Sequence, residues 1–149
     1  MPEASIQTIP LRQFSAPRYW PTWLGLSLMW GVARLPFPVQ MQVGKLLGIL
    51  SYHLARGRRH ICEVNLRLCF PSLSQVEHRQ LVRKTFISNA IGLIETAIAW
   101  SRDPEEFRER VTVSGLENLN IAIARGKGVL LVCAHFTTLE IGGFLLSLF

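Results

Sequence analysis

Charge is scarce in this chain of 149 residues. Asp, Glu, Lys and Arg make up 17% of it, where about 25% is usual. Hydrophobic residues make up 49%. That balance excludes a disordered polar chain and leans towards a protein that touches membrane. Cysteine is scarce too. Cys62, Cys69 and Cys133 form no CxxC pair, and the seven-residue step from Cys62 to Cys69 is helical spacing, not a zinc pattern. Each sits among apolar neighbours, which reads as buried, reduced thiols in a cytoplasmic compartment. The N-terminal apolar run is short. Tyr19 to Ala33 carries no charge, yet as a helix it spans only about 23 Å against a hydrocarbon core of about 30 Å. Its late start, its proline and tryptophans, and the lack of a small-x-small cleavage site before Arg34 fit a secretory signal peptide poorly. No helix-turn-helix, zinc-finger or RNA-binding signature is present, so the charge does not point to nucleic acid.

What the chain does have is a basic excess. The net charge is +6 and the pI near 9.9, which implies an anionic partner such as anionic lipid or a phosphorylated substrate. Residues 1–18 are polar, hold prolines and read as a mobile N-terminus. Residues 19–35 read as a short, tilted or interfacial membrane-anchor helix, which mismatch rules permit. Tyr19, Trp20 and Trp23 cluster at one end, as interfacial aromatics do. Pro21 suits a first helical turn, and Pro36 and Pro38 stop the segment. A buried soluble helix is the alternative. Arg12 and Arg18 precede the segment, while Arg34, Lys45, Arg56, Arg58, Arg59 and Arg67 follow it. That asymmetry puts the body on the cytoplasmic side.

Residues 36–102 read as a helical region, partly interfacial. Over 39–55, Val39, Val43, Leu46, Leu47, Leu50 and Leu54 share one face, which would lie on a bilayer or pack on the core. Arg56, Arg58 and Arg59 follow and suit lipid headgroups or substrate phosphates. A solvated helix end reads equally well for any one of them. Cys62 to Cys69 continues helically until Phe70-Pro71. Ser74 and Glu77 form a capping box for a long helix to about Trp100, with Leu81, Val82, Phe86, Ala90, Ile94 and Ile98 as its apolar stripe. Glu95 stands in an otherwise apolar stretch. A buried carboxylate is costly without a partner, so Glu95 has either an ordinary salt bridge or exposed position, or a place in a substrate site.

Beyond Asp103 the pattern changes to α/β. Val111–Val113 reads as a short strand, Leu116 to Ala124 as a helix, and Arg125-Gly126-Lys127-Gly128 as a tight turn. Val129 to Ala134 is unbroken and apolar, the mark of a strand buried on both faces. Thr137 or Thr138 can cap a further helix through Phe149. Residues 103–149 therefore read as one strand-helix-strand-helix pass of a parallel sheet. Ligands of such sheets collect beyond the strand C-termini, where His135 lies. On one continuous helix, His135 and Glu140 would splay about 140° apart. They can meet if His135 is in the loop and Glu140 in the early helix, where the dipole favours a carboxylate. Glu140 could then fix one imidazole nitrogen and leave the other free as a base. A satisfied loop histidine is the plain alternative.

Four segments in this order carry a resemblance. They are Arg18 to Gly25, Asn65 to Pro71, Gly92 to Trp100 with Glu95, and Gly128 to Val132 leading into His135-Phe136-Thr137-Thr138-Leu139-Glu140. The chain resembles the late acyltransferases of lipid A biosynthesis, closest to the lauroyltransferase type, and shares its His-to-Glu block with the wider H-x4-D/E acyltransferases. The resemblance implies an α/β fold: N-terminal membrane-anchor and amphipathic helices, then the start of a parallel-stranded acyltransferase sheet. It implies an enzyme on the cytoplasmic face of the bacterial inner membrane. Such enzymes move a fatty acyl group from acyl carrier protein to a hydroxyl of a Kdo-bearing, phosphorylated lipid A precursor, with no metal or redox cofactor. His135 would be the general base and Glu140 its orienting partner. Members are about twice as long, so the chain reads as a truncated product, a fragment or one part of a split gene, and inactivity of the isolated chain is expected. A glycerolipid acyltransferase and a non-catalytic, basic membrane-surface binding protein are the alternatives.

Overall fold

Ser74 starts the longest helix as its spacing predicts. Its hydroxyl accepts from the Glu77 backbone N–H at 3.3 Å, and the Glu77 carboxylate accepts from the Ser74 backbone N–H at 2.7 Å. Two orphan donors of the first turn are thereby satisfied. The computed structural model describes residues 10–149; residues 1–9 of the segment read as mobile lie outside the described residues. The rest of that segment forms 3-10 turns at Leu11–Phe14 and Pro17–Tyr19. Six α-helices follow among the described residues: α1 (Trp20–Ala33), α2 (Phe37–Leu54), α3 (Arg56–Cys69), α4 (Gln75–Ser101), α5 (Leu116–Ala124) and α6 (Leu139–Leu146). A 3-10 run, Pro104–Arg110, lies between α4 and α5, begun by an Asp103 capping box.

Helix α4 is the common support, in contact with α1, α2, α3 and α6. Ala33 of α1 and Ile94, Ala97 and Ile98 of α4 form the buried core. Met29, Val32, Val43, Phe107, Ile141 and Phe144 pack around them. Of the two placements open to the leucine face of α2, on a bilayer or on the core, packing on the core is not what the leucines do. Gln40, Gly44 and Gly48 are its buried residues, and Leu46, Leu47, Leu50 and Leu54 are exposed. A Cβ on Gly48 would lie 2.5 Å from the Ile87 Cα, and one on Gly44 would lie 2.9 Å from Ile87's neighbour one turn on, Ile91, at Cγ1. The backbones approach closely because the side chains are missing.

The α/β reading is corrected: among the described residues there is no strand and no sheet. Val111–Val113 and Val129–Ala134 run without ladder partners. A strand needs such partners, and an apolar run cannot show where they would come from. Leu130 and Val132 are each 88% exposed instead of doubly buried. The turn before them holds as expected, with Gly126 and Gly128 at positive φ.

The membrane-anchor reading of residues 19–35 is corrected as well. Among the described residues no helix is long and apolar enough to cross a membrane. Helix α1 has 14 residues and so spans about 21 Å. Its last turn packs on the core through Ala33, while Trp20, Leu24 and Leu28 are more than 60% exposed. The thiols also differ from expectation. Cys62 is partly buried and Cys69 and Cys133 are exposed, because α3 buries no residue and Cys133 lies in the unpaired run. No disulfide joins them.

Candidate functional site

The segment from Ala134 to Gly142 is built from successive tight turns. The Phe136 N–H donates to the Ala134 carbonyl at 2.9 Å, which places His135 at the apex of a three-residue turn. The Leu139 N–H donates to the Phe136 carbonyl at 3.1 Å, and the Gly142 N–H to the Thr138 carbonyl at 2.9 Å. His135 thus stands in the loop and Glu140 in the first turn of α6, as the spacing requires of a cooperating pair. Both side chains are exposed. Among the described residues no ion pair joins them. Thr138 takes the N-cap position of α6 without a side-chain bond to the helix.

Helix α6 is held by its apolar side. Ile141 and Phe144 pack on the core, and the Phe144 ring meets Phe107 edge-on at 5.9 Å. Glu140 faces an open cleft of about 460 Å³ with Trp100, Leu139 and Phe144 on its walls. The loop rests on α4. Thr137 Oγ1 and Ser88 Oγ lie 3.3 Å apart in a hydrogen bond. A Cβ on Gly92 would lie 2.8 Å from the Thr137 carbonyl oxygen and 3.1 Å from the Thr137 Cβ.

Glu95, one turn further along α4, reaches the same place. It lines a pocket of about 280 Å³ with Lys84, Ile87, Ser88, Ile91, Thr137 and Thr138. Its Oε2 is buried without a hydrogen-bond partner, and burial pushes its carboxyl above the ordinary carboxylate range. Glu95 is thus brought to Thr137 and Thr138 of the loop, while Glu140 lines the separate cleft and His135 lines neither.

The arginines are not brought to that segment. Arg58 edges a cleft of about 950 Å³ whose walls include Leu47, Leu50, Leu54, Ile61, Phe86 and Leu93. This cleft uses the Phe86–Ala90–Leu93 face of α4, roughly opposite the Ser88–Gly92–Glu95 face by 100° per residue. Arg59 pairs with Glu63 at 3.6 Å and donates to the Tyr52 carbonyl at 3.3 Å. Arg56 is exposed at the start of α3. Among the described residues no three His, Cys, Asp or Glu side chains gather as a metal site needs.

The sequence reading assigns Ser88 no role and names Gly92 only as the start of a segment. The available signal was a glycine inside a helix, which costs about 1 kcal/mol against alanine and implies a packing reason.

The family model for bacterial lipid A biosynthesis acyltransferase matches residues 8–148. The lipid A biosynthesis lauroyltransferase of Escherichia coli (strain K12) is 42% identical over 126 residues, covering 85% of this chain and 41% of that protein. The lipid A biosynthesis palmitoleoyltransferase of the same organism is 37% identical over 137 residues, covering 92% of this chain and 45% of that protein. A lipid A biosynthesis acyltransferase of Haemophilus influenzae is 34% identical over 137 residues, covering 91% of this chain and 43% of that protein. The chain spans less than half the length of these curated relatives. No solved structure matches it.

Proposed function

The chain belongs to the bacterial lipid A biosynthesis acyltransferase family, and from that membership we propose that the whole protein transfers a fatty acyl group, lauroyl-like in length, from acyl carrier protein to a hydroxyl of a Kdo-bearing lipid A precursor. The supporting observation is a family match that runs through the His135–Glu140 segment. His135 removes the proton of the acceptor hydroxyl as its oxygen attacks the thioester carbonyl. The carbon–sulfur bond breaks, the acyl ester forms, and the carrier's thiolate takes the proton back from the imidazolium. Glu140 orients the imidazole and stabilises its charged form. Ligand-free sites hold such pairs loosely and tighten them with substrate. Backbone N–H groups at the start of α6, or a cationic side chain, stabilise the oxyanion.

Glu95 takes a substrate-binding place beside the loop, supported by its buried, unpartnered Oε2 in the pocket it shares with Thr137 and Thr138. Arg56, Arg58 and Arg59 serve phosphates of the glycolipid or the acidic carrier protein. The protein works at the cytoplasmic face of the bacterial inner membrane. The test is a transfer assay on the whole protein with lauroyl carrier protein and the Kdo-bearing precursor. His135→Ala should lower turnover by roughly 10²–10⁴. Unchanged turnover in that variant, or transfer only to lysophosphatidic acid, would overturn the reading.

A further inference from the structure

We propose that the Ser88–Gly92 face of α4 is the seat that sets where His135 stands, with Gly92 a positioning residue that acts through Thr137. The inference rests on the reading of His135 as the base. Its basis is separate and geometric. Gly92 lies inside a long helix, where glycine weakens the helix relative to alanine. The space a Cβ would need is taken by loop backbone. It would stand 2.8 Å from the Thr137 carbonyl oxygen, a distance that backbone cannot relieve without moving. One turn earlier, Ser88 holds the same residue by its hydroxyl at 3.3 Å. Thr137 is thus fixed at two points, main chain and side chain, two residues after His135.

The seat is itself firmly placed. Ile87 and Ile91, which alternate with Ser88 and Gly92 along α4, meet the glycine face of α2 at Gly48 and Gly44. Between Thr137 and the imidazole lie only Phe136 and the three-residue turn closed by the Phe136 N–H on Ala134. A shift of the Thr137 carbonyl is therefore passed to His135 with little slack. Glu140 is held from another direction, through Ile141 and Phe144 on the core. Moving one without the other changes the distance between base and orienting acid, which is the quantity the chemistry depends on.

The experiment is Gly92→Ala in the whole protein, read by amide hydrogen exchange at Phe136 and Leu139, the hydrogen-bonded amides of the loop, and by steady-state transfer. Exchange there should quicken by about tenfold, with the amides of α4 before Ser88 unchanged. kcat should fall by about 100-fold, with KM within about twofold of wild type. Thr137→Val, which keeps volume and drops the hydroxyl, should quicken the same amides by about threefold. Thr137→Ser should restore wild-type exchange and rate. Unchanged exchange at Phe136 and Leu139 in Gly92→Ala overturns the proposal, whatever the rate. A loosened loop with unchanged kcat overturns the positioning role. If Gly92→Ala does not fold, the Val and Ser variants of Thr137 decide by the same two readouts. Full activity in His135→Ala would end the catalytic reading and leave the exchange result standing.

Discussion

Gln40 closes the end of α1: its Nε2 donates to the Ala33 carbonyl at 2.8 Å and to the Val32 carbonyl at 3.3 Å. The last carbonyls of a helix have no donor within it, and here a neighbouring helix supplies one. Arg102, ion-paired with Glu106, donates from Nη1 to the same Ala33 oxygen at 3.4 Å. Helices α1, α2 and α4 thus converge on one buried peptide group.

Gln40→Leu should destabilise the protein by about 1–3 kcal/mol, since it strands buried carbonyls without their donor. Leucine is close in size, so the loss reports the hydrogen bonds and not a cavity. Urea denaturation measures it. A midpoint equal to wild type would mean that Arg102 alone satisfies Ala33.

Gly48→Ala should cost more than about 3 kcal/mol, above the usual range for overpacking, because the added Cβ would meet backbone at Ile87 and Phe86 and not a yielding side chain. Gly25→Ala and Gly57→Ala have open space around the added methyl and should stabilise their helices by up to about 1 kcal/mol. Thermal melts of the three variants side by side separate packing from propensity.

These glycines explain much of what could and could not be read from the sequence. The Ser74–Glu77 box and the span of α5 were legible because both are set by neighbours within one or two turns. The loop position of His135 and the helical position of Glu140 were legible for the same reason. The face of α2 that packs on α4 was not legible, since a hydrophobic pattern scores Leu46 and Leu50 and is blind to Gly44 and Gly48. The run Val129–Ala134 was read as a buried strand, yet pairing depends on residues elsewhere, and apolar character alone does not supply them. The approach of Gly92 and Ser88 to Thr137 joins residues 45 or more apart, and no local pattern encodes it.

Glu95 should give the protein a distinctive pH dependence. Its carboxyl is raised by burial, so the folded state holds its proton more tightly than the unfolded state does. Stability from this group is full below the ordinary glutamate range and is lost as pH rises through the raised value. Glu77, Glu105 and Glu106 are lowered by hydrogen bonds from Ser74, Arg108 and Arg102 and act in the opposite sense, losing stability in acid. Glu95→Gln mimics the protonated form and removes only the first effect. Melting temperatures from pH 4 to pH 8 should therefore fall more steeply, or rise less, in wild type than in Glu95→Gln. Superimposable profiles would show that Glu95 meets water freely.

Glu140 offers the sharpest division between charge and shape. It stands in the first turn of α6, on a helix fixed by Ile141 and Phe144, so Glu140→Gln should keep the fold and cost no more than the small dipole stabilisation of a first-turn carboxylate. Glutamine can still hydrogen-bond an imidazole. It cannot stabilise an imidazolium, and it can hold the wrong tautomer. If the carboxylate works by charge, Glu140→Gln loses about 10³–10⁴ in kcat, nearly as much as Glu140→Ala, with KM little changed. If it only orients the ring, Gln keeps most of the rate and Ala alone fails. Turnover of Glu140→Gln within about twofold of wild type would remove the stabilising role and leave the orienting one.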